Sequence, residues 1–143
     1  MSFKKPFKTM NCYKKKLIQK LCIYFLTLFI SLNAYSAWDF HSSSHDGETF
    51  FINNDLISLP NGIVYFWYLK NYLLPNQFGD MSAKVNVKGD CNNNRMKYLT
   101  YIWYSKPMGM GKGVRSDKES SWDYPKTESV GIDMLKVVCS HNK

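Results

Sequence analysis

Acidic residues are missing from the first 38 positions of this 143-residue chain. Seven of its 19 basic residues lie in that stretch, which leaves 12 basic against 11 acidic residues beyond it, a balance of +1. The formal charge of +8 therefore comes mainly from the amino-terminal end. A nearly neutral body lacks the positive field that nucleic-acid binding requires, so we expect no nucleic-acid partner.

The chain also lacks an apolar run long enough to span a bilayer. The apolar stretch Leu21–Leu32 has twelve residues, whereas a spanning helix needs about 20. It follows the basic stretch and precedes Ala34 and Ser36, which are small residues spaced for a signal peptidase. This order predicts a secretory signal peptide over residues 1–36, cleaved before Ala37; the alternative is an uncleaved anchor. Residues 37–143 are then one exported domain, periplasmic or on the cell surface, with no transmembrane segment after cleavage.

Motifs for metals, cofactors and catalysis are scarce. The sequence has no CxxC or HExxH pattern, and His41, His45 and His141 are scattered, so we expect no metal site. The glycine-rich stretch Ser105–Asp117 has neither phosphate-loop spacing nor a helix directly after it, so we interpret it as a mobile connector between a strand and a helix. The serines at 42–44 adjoin two histidines, but closeness in sequence does not make a catalytic triad. We expect no enzymatic activity and no cofactor.

Cysteine is scarce as well. Of four cysteines, only Cys91 and Cys139 remain beyond the predicted signal peptide. Two cysteines in an exported domain most simply form a disulfide; the alternative is a pair of buried thiols. The bond would close a loop of about 49 residues and stabilise the domain by about 4 kcal/mol in the chain-entropy model.

Apolar and polar residues alternate through much of the remaining chain, which is typical of half-buried strands. Both faces of Ile63–Leu73 are apolar, so this strand should be central. Asn54–Leu59 could form one helical turn, and Gly89 to Arg95 a tight connection between strands. The predicted strands form an antiparallel meander over Trp38–Ser43, Thr49–Asn53, Ile63–Leu73, Met81–Asp90 and Arg95–Ser105.

The carboxyl-terminal stretch changes to a helical period. Thr127 or Ser129 is the expected N-cap, and the apolar side chains up to Cys139 fall in one broad arc. This helix must pack on the sheet, with Cys139 within reach of Cys91. The sequence therefore predicts an α+β fold, in which a carboxyl-terminal helix lies on one face of an antiparallel sheet and a disulfide tethers it. Four aromatic side chains are expected to form the core under that helix: Tyr65, Trp67, Tyr101 and Trp103.

Basic side chains lie on the polar face of two successive strands. Lys84, Lys88, Arg95 and Lys97 point outward if the strand assignment holds, and pairing across the Cys91 hairpin would align them as a basic ladder. We take them as candidate ligand-binding residues; the alternative is an ordinary solvated sheet face.

Several segments together resemble the surface-adhesin protein E family of small exported bacterial proteins. They are "FFINNDLI", "VYFWYL", "SAKVNVKGDCNNNRMKYLTYIWYSKPMGMGKG", "WDYP" and "SVGIDMLKVVC", in an order that covers nearly all of Trp38–Cys139. The resemblance implies an antiparallel sheet of about five or six strands with a disulfide-tethered carboxyl-terminal helix. It also implies a non-enzymatic adhesin that contacts host matrix proteins such as vitronectin or laminin and can dimerise. A periplasmic structural or accessory protein that acts through protein–protein contacts is the alternative.

Overall fold

Most of the chain between Trp38 and Ser116 is extended, as its period-two pattern predicts. The structure, a computed structural model, describes residues 37–141, and the predicted signal peptide lies outside the described residues. One helix, α1 (Val130–Ser140), ends the described chain. The strands are β1 (Trp38–Ser43), β2 (Thr49–Asn53), β3 (Ile57–Ser58), β4 (Ile63–Asn71), β5 (Ser82–Asp90), β6 (Arg95–Lys106) and β7 (Met110–Ser116).

All seven strands belong to one antiparallel sheet. Its order is β1-β2-β4-β5-β6-β7, and the short strand β3 pairs with β4 beyond the end of β2. We call the side of the sheet under α1 the helix face and the opposite side the open face. This arrangement confirms the predicted α+β fold, in which a meander sheet carries one terminal helix.

The main core lies between α1 and the helix face. Phe66 and Val87 are paired across β4 and β5, and both are at most 1% exposed. Leu135 and Val138 of α1 cover them and are equally buried. Each such side chain contributes roughly 1.5–3 kcal/mol by leaving water. Ser129, one of the two predicted N-caps, starts the helix by accepting a hydrogen bond from the Ile132 N–H.

A disulfide joins Cys91 to Cys139, with 5.8 Å between the two Cα atoms. Cys91 directly follows β5, and Cys139 lies in the last turn of α1. The bond therefore ties the end of the helix to the β5–β6 hairpin, as the sequence predicts.

The aromatic residues of β4 and β6 divide between the two faces. A β-bulge at Leu99 inserts one residue into β6, so that Tyr98 pairs with Val87 and Thr100 pairs with Asn86. Beyond the bulge, Tyr101 and Trp103 lie on the helix face, as predicted, but they are only partly buried and pack against the core. Strict alternation from Lys97 on the open face would have put both rings on the open face as well, and the extra residue moves them to the helix face.

Tyr65 and Trp67 are not under the helix, and this part of the prediction is wrong. Their cross-strand partners on β5 are Lys88 and Asn86, which puts both rings on the open face. Apolar character alone did not decide the face, because β4 is apolar on both sides. The helix covers Val64 and Phe66 of this strand instead.

The glycine-rich stretch is not a mobile connector. It forms a 3₁₀ turn over Pro107–Gly109 and then strand β7, which pairs with β6. The Met108 N–H donates to Asn71 Oδ1 at 2.8 Å, and the Gly109 N–H donates to Ser82 Oγ at 3.0 Å. The fully buried Ser82 hydroxyl in turn donates to the Lys106 carbonyl at 2.6 Å. Side chains on β4 and β5 therefore hold the turn against the open face.

This turn covers the carboxyl-terminal half of β4. Gly109 has a φ of +66°, and a Cβ there would lie within 3.2 Å of Leu69 and closer still to the Lys84 side chain. Leu69 is consequently fully buried although it points away from the helix. The central position of β4 between β2 and β5 is confirmed, and the turn covers its open face only in the carboxyl-terminal half.

Residues 54–59 do not form the predicted helical turn. The chain leaves β4 after the Ile52–Tyr68 pair and returns as β3 at the Ile57–Tyr65 pair. The excursion leaves Phe66 and Trp67 without a neighbouring strand on that side, and it opens a cleft in the open face.

Candidate functional site on the open face

Cations and aromatic rings alternate at the end of the open face next to the β5–β6 hairpin. The Lys88 Nζ lies 5.8 Å from the ring centre of Tyr65 and 5.8 Å from that of Trp122. The Arg95 guanidinium stacks on the same Trp122 ring at 4.3 Å. We call Lys88, Arg95, Tyr65 and Trp122 the cation–aromatic cluster. Such contacts contribute roughly 0.5–1 kcal/mol each at exposed sites and fix where the charges lie.

Two of the four candidate cations are neutralised within the fold. Arg95 Nε donates to Asp90 Oδ2 at 2.9 Å, and Lys97 Nζ forms an ion pair with Glu119 at 2.5 Å. Lys88 and Lys97 are cross-strand neighbours. Lys88 has no carboxylate within 4 Å among residues 37–141, and its charge rests on aromatic rings instead.

Lys84 is separated from the other three. It lies four residues before Lys88 on β5, about 13 Å away at the rise of a strand. Its Nζ sits 5.4 Å from the Trp38 ring centre and 5.2 Å from that of Tyr104, and no carboxylate in the described chain lies within 4 Å. The four candidate residues do share the open face, but they form two separate sites. The prediction of a continuous basic ladder is therefore wrong.

Trp122 was not among the residues picked out as a candidate site from the sequence. It follows β7 in an irregular segment that runs beside β6, where Ser120 donates to the Tyr98 carbonyl and Asp123 bridges Met96. The tryptophan within an otherwise polar stretch was the available signal. Trp122 lies over Arg95 because this segment pairs with β6. The segment has no hydrophobic periodicity from which the pairing could be predicted.

Asp90 supports the cluster from below. Its side chain is 5% exposed and accepts hydrogen bonds from Asn93 and Arg95. Burial by itself would raise the pKa of Asp90, but these hydrogen bonds outweigh it and hold the pKa below its usual value of 3.8. The ionised carboxylate thus fixes both the hairpin turn and the position of Arg95.

We expect Asp90→Asn to lower stability at neutral pH and to change its dependence on acid. Because the folded-state pKa is lower than that of the unfolded chain, Asp90 stabilises the fold above pH 3.8, and this contribution is lost as the pH falls through the folded-state pKa. Urea unfolding at a series of pH values should show the wild-type and variant free energies converging in acid. Asp46→Asn is the control, since Asp46 is exposed and its side chain has no hydrogen bond or ion pair within residues 37–141. A difference that stays constant down to strong acid contradicts this role.

On the helix face, a row of partly buried rings packs against the core. Tyr101 stacks on Trp103 at 5.4 Å and contacts Tyr98 at 6.0 Å. Burial, followed by the charge of Asp123, raises the pKa of Tyr98 to about 12. These hydroxyls stay protonated at physiological pH, so the row carries no charge and packing is its evident role.

The histidines and serines of the first turn do not form a catalytic arrangement in this structure. His41 Nε2 and Ser42 Oγ are both buried, and neither has a hydrogen-bond partner, so the serine hydroxyl is not activated by the imidazole. Burial lowers the pKa of His41, against a smaller opposing effect from Asp133. Within residues 37–141, no group of three or more His, Cys, Asp or Glu side chains is placed to hold a metal ion.

Comparison with known proteins places this fold. None of the helical structure in residues 37–141 is long and apolar enough to cross a bilayer. No curated protein sequence matches the chain significantly. Crystal form II of Haemophilus influenzae protein E is similar in structure, with a TM-score of 0.59, 13% identity, and coverage of 77% of this chain and 92% of that one. Another structure of Haemophilus influenzae protein E has a TM-score of 0.56 at 12% identity, over 77% of this chain and 89% of that one.

At these identities the likeness shows the fold alone, and it confirms the sheet with its terminal helix. A sequence model of one family provides the stronger assignment. The model described as surface-adhesin protein E matches residues 38–140, which is most of the chain. The chain therefore belongs to the surface-adhesin protein E family.

Proposed function

We propose that this protein is an exported, non-enzymatic adhesin that binds an acidic region of a protein partner through its open face. The observation that supports this most directly is that two lysines on this face are not paired with a carboxylate within residues 37–141. Lys84 and Lys88 have no carboxylate partner in the described chain, and aromatic rings hold both of them. Their charges remain available to carboxylates of a partner.

The surroundings of Lys88 suit a protein interface. Tryptophan, tyrosine and arginine contribute most often to the residues that dominate binding energy, and Trp122, Tyr65 and Arg95 all adjoin this lysine. The rings also limit how far the lysine can move, which lowers the entropy lost when a partner orders it. Host matrix proteins such as vitronectin and laminin are the partners that the family resemblance implies, and we propose them as the first to test.

We expect the double variant Lys84→Glu/Lys88→Glu to bind immobilised vitronectin or laminin about tenfold more weakly. Two surface ion pairs worth about 0.7 kcal/mol each give a change of that size. Surface plasmon resonance at several salt concentrations measures it, and wild-type affinity should fall as salt rises.

The matched control is Lys126→Glu/Lys136→Glu, which changes the net charge by the same amount. Lys136 lies on the exposed side of α1, so this control tests whether total charge or the open face matters. Equal losses of affinity in both double variants would reject the proposed surface. So would an affinity that changes neither with salt nor in the Lys84→Glu/Lys88→Glu variant.

A second candidate is a periplasmic accessory protein that works through apolar contacts, with a homodimer as one form. One loop favours it: Leu73, Leu74 and Phe78 are 65%, 74% and 79% exposed. Hydrogen bonds from Phe78 and Asp80 to the Asn76 side chain hold this loop in shape. An ordered loop that presents three large apolar side chains is typical of a contact surface. Cell fractionation distinguishes the two functions, because a purely periplasmic location excludes host adhesion.

A further inference from the structure

A cleft of about 510 Å³ opens in the sheet where β2 has left β4 and β3 has not yet joined it. Its volume falls within the usual range for small-molecule sites. It adjoins the cation–aromatic cluster, with which it shares Tyr65, and its floor is formed by Trp67 and Tyr65. Its other lining residues come from the excursion of the chain and from β5: Asn53, Asp55, Leu56, Ile57 and Asn86.

The floor and the walls of this cleft differ in chemistry. The rings of Trp67 and Tyr65 are half-buried and offer flat apolar surface with a polar tip. The carboxylate of Asp55 and the amide of Asn86 line the cleft, and neither side chain has a hydrogen-bond partner within residues 37–141.

The third polar group that lines the cleft, the side-chain amide of Asn53, is held in a fixed orientation. Asn53 Oδ1 accepts a hydrogen bond from the Asp55 N–H at 2.7 Å, which leaves the amide NH₂ of Asn53 as a donor. Two amides and one carboxylate therefore offer both donors and acceptors beside the aromatic floor.

We propose that this cleft binds a neutral pyranose ring, the terminal or internal unit of a glycan. A pyranose has one face of C–H groups, which packs on an aromatic ring, and a periphery of hydroxyls that each donate and accept hydrogen bonds. The rings and the polar side chains of the cleft match these two features in turn. Asp55 accepts from sugar hydroxyls but repels sulfates and uronic acids, so a neutral sugar fits better than a charged one.

This inference goes beyond the proposed binding of an acidic protein surface. It concerns a different ligand class, and it depends on Trp67, Asn86 and Asp55, whereas the protein-binding proposal depends on Lys84 and Lys88. Each can fail without the other.

Nuclear magnetic resonance of the full protein tests it with methyl glycosides of glucose, galactose, mannose and N-acetylglucosamine. At least one of them should shift the indole N–H signal of Trp67 and the side-chain amide of Asn86, with saturation in the millimolar range. Trp67→Phe assigns the indole signal among those of the four tryptophans. No saturable shift with any of these sugars would overturn the proposal.

Two variants separate this cleft from the neighbouring cluster. Asn86→Ala removes only a few atoms of a partly exposed side chain that has no hydrogen bond within residues 37–141, so the fold should persist, and the loss of one hydrogen bond to the sugar should weaken binding about threefold to tenfold. Trp122→Ala should leave sugar binding unchanged while it disrupts the stacking on Lys88 and Arg95. Sugar binding that survives Asn86→Ala and fails in Trp122→Ala would refute the assignment, as would binding limited to sulfated saccharides.

Discussion

Replacing both bonded cysteines, as Cys91→Ala/Cys139→Ala, should lower the free energy of unfolding by about 4 kcal/mol. The disulfide spans a separation of 48 residues, and without it the unfolded chain regains the entropy that this closed loop had removed. A domain of this size typically has about 5–15 kcal/mol of stability in total. The double variant should therefore be close to the limit of folding at physiological temperature.

The loss should be concentrated at one place in the molecule. Apart from the main chain, the bond at Cys139 is the covalent link between α1 and the sheet in the described residues, and three of the last four residues of the helix, Val137, Cys139 and Ser140, are not fully buried. The strands keep their ladders of hydrogen bonds without the disulfide. Amide hydrogen exchange should therefore accelerate first in α1, and only later in β4 and β5.

Urea unfolding of the double variant and of the wild type, with and without a reductant, measures this. The reduced wild type is the control, because it lacks the disulfide but keeps both cysteine side chains. Its free energy of unfolding should equal that of the double variant to within the extrapolation error. A loss of unfolding free energy below about 1 kcal/mol is at the low end of the range for disulfides. It would show that packing alone holds the helix on the sheet. Equal acceleration of exchange throughout the sheet would contradict a local role.

Much of the fold could be predicted because its strongest signals are local. The apolar arc that runs up to Cys139 needs a large surface to cover it, and the predicted meander between Trp38 and Ser105 offers one. The continuous apolar run of β4 predicts a central strand, and the two cysteines beyond the predicted signal peptide allow one pairing. Each of these arguments uses the composition of a single segment.

What could not be predicted depends on backbone pairing. Met110 to Arg115 are all exposed, so β7 carries no hydrophobic period, and its register comes from hydrogen bonds to β6 and from the Ser82 and Asn71 side chains. The bulge at Leu99 is likewise invisible in the alternation of β6, since apolar residues lie on both sides of it.

The candidate site was harder still, because tertiary contacts assemble it. Lys84 and Lys88 were correctly placed on the open face by strand periodicity. Their partners Trp38 and Trp122 approach from the two ends of the domain sequence, and no local pattern relates these residues. Sequence therefore identified the charges but not the rings that position them, and it did not separate the ladder into two sites.

Replacing Gly89 with alanine should destabilise the protein by about 1–3 kcal/mol, although alanine suits an ordinary strand better than glycine does. The sequence suggested a turn at this position, but Gly89 lies inside β5 directly under the helix. A Cβ there would come within 2.8 Å of both Leu135 Cδ1 and Val64 Cγ2. These two side chains are 1% and 0% exposed, so neither has space to move aside.

A double-mutant cycle isolates the cause. Leu135→Ala alone should cost about 2–5 kcal/mol through the cavity it leaves. In Gly89→Ala/Leu135→Ala, the new methyl group occupies part of that cavity, so the combined loss should fall short of the sum by about 0.5–3 kcal/mol. Val64 still crowds the new methyl group, which is why the rescue should be partial.

Gly113→Ala is the matched control. It adds the same methyl group to β7, where the nearest atoms are the half-exposed side chains of Tyr104 and Ile102 at 3.0 and 3.2 Å. These can shift into solvent, so the change should stay below about 1 kcal/mol. Urea unfolding gives the free energies of unfolding of the wild type and of all four variants. Strict additivity of Gly89→Ala and Leu135→Ala would mean that the helix does not need the gap at Gly89, and that the disulfide rather than close packing sets its distance from the sheet.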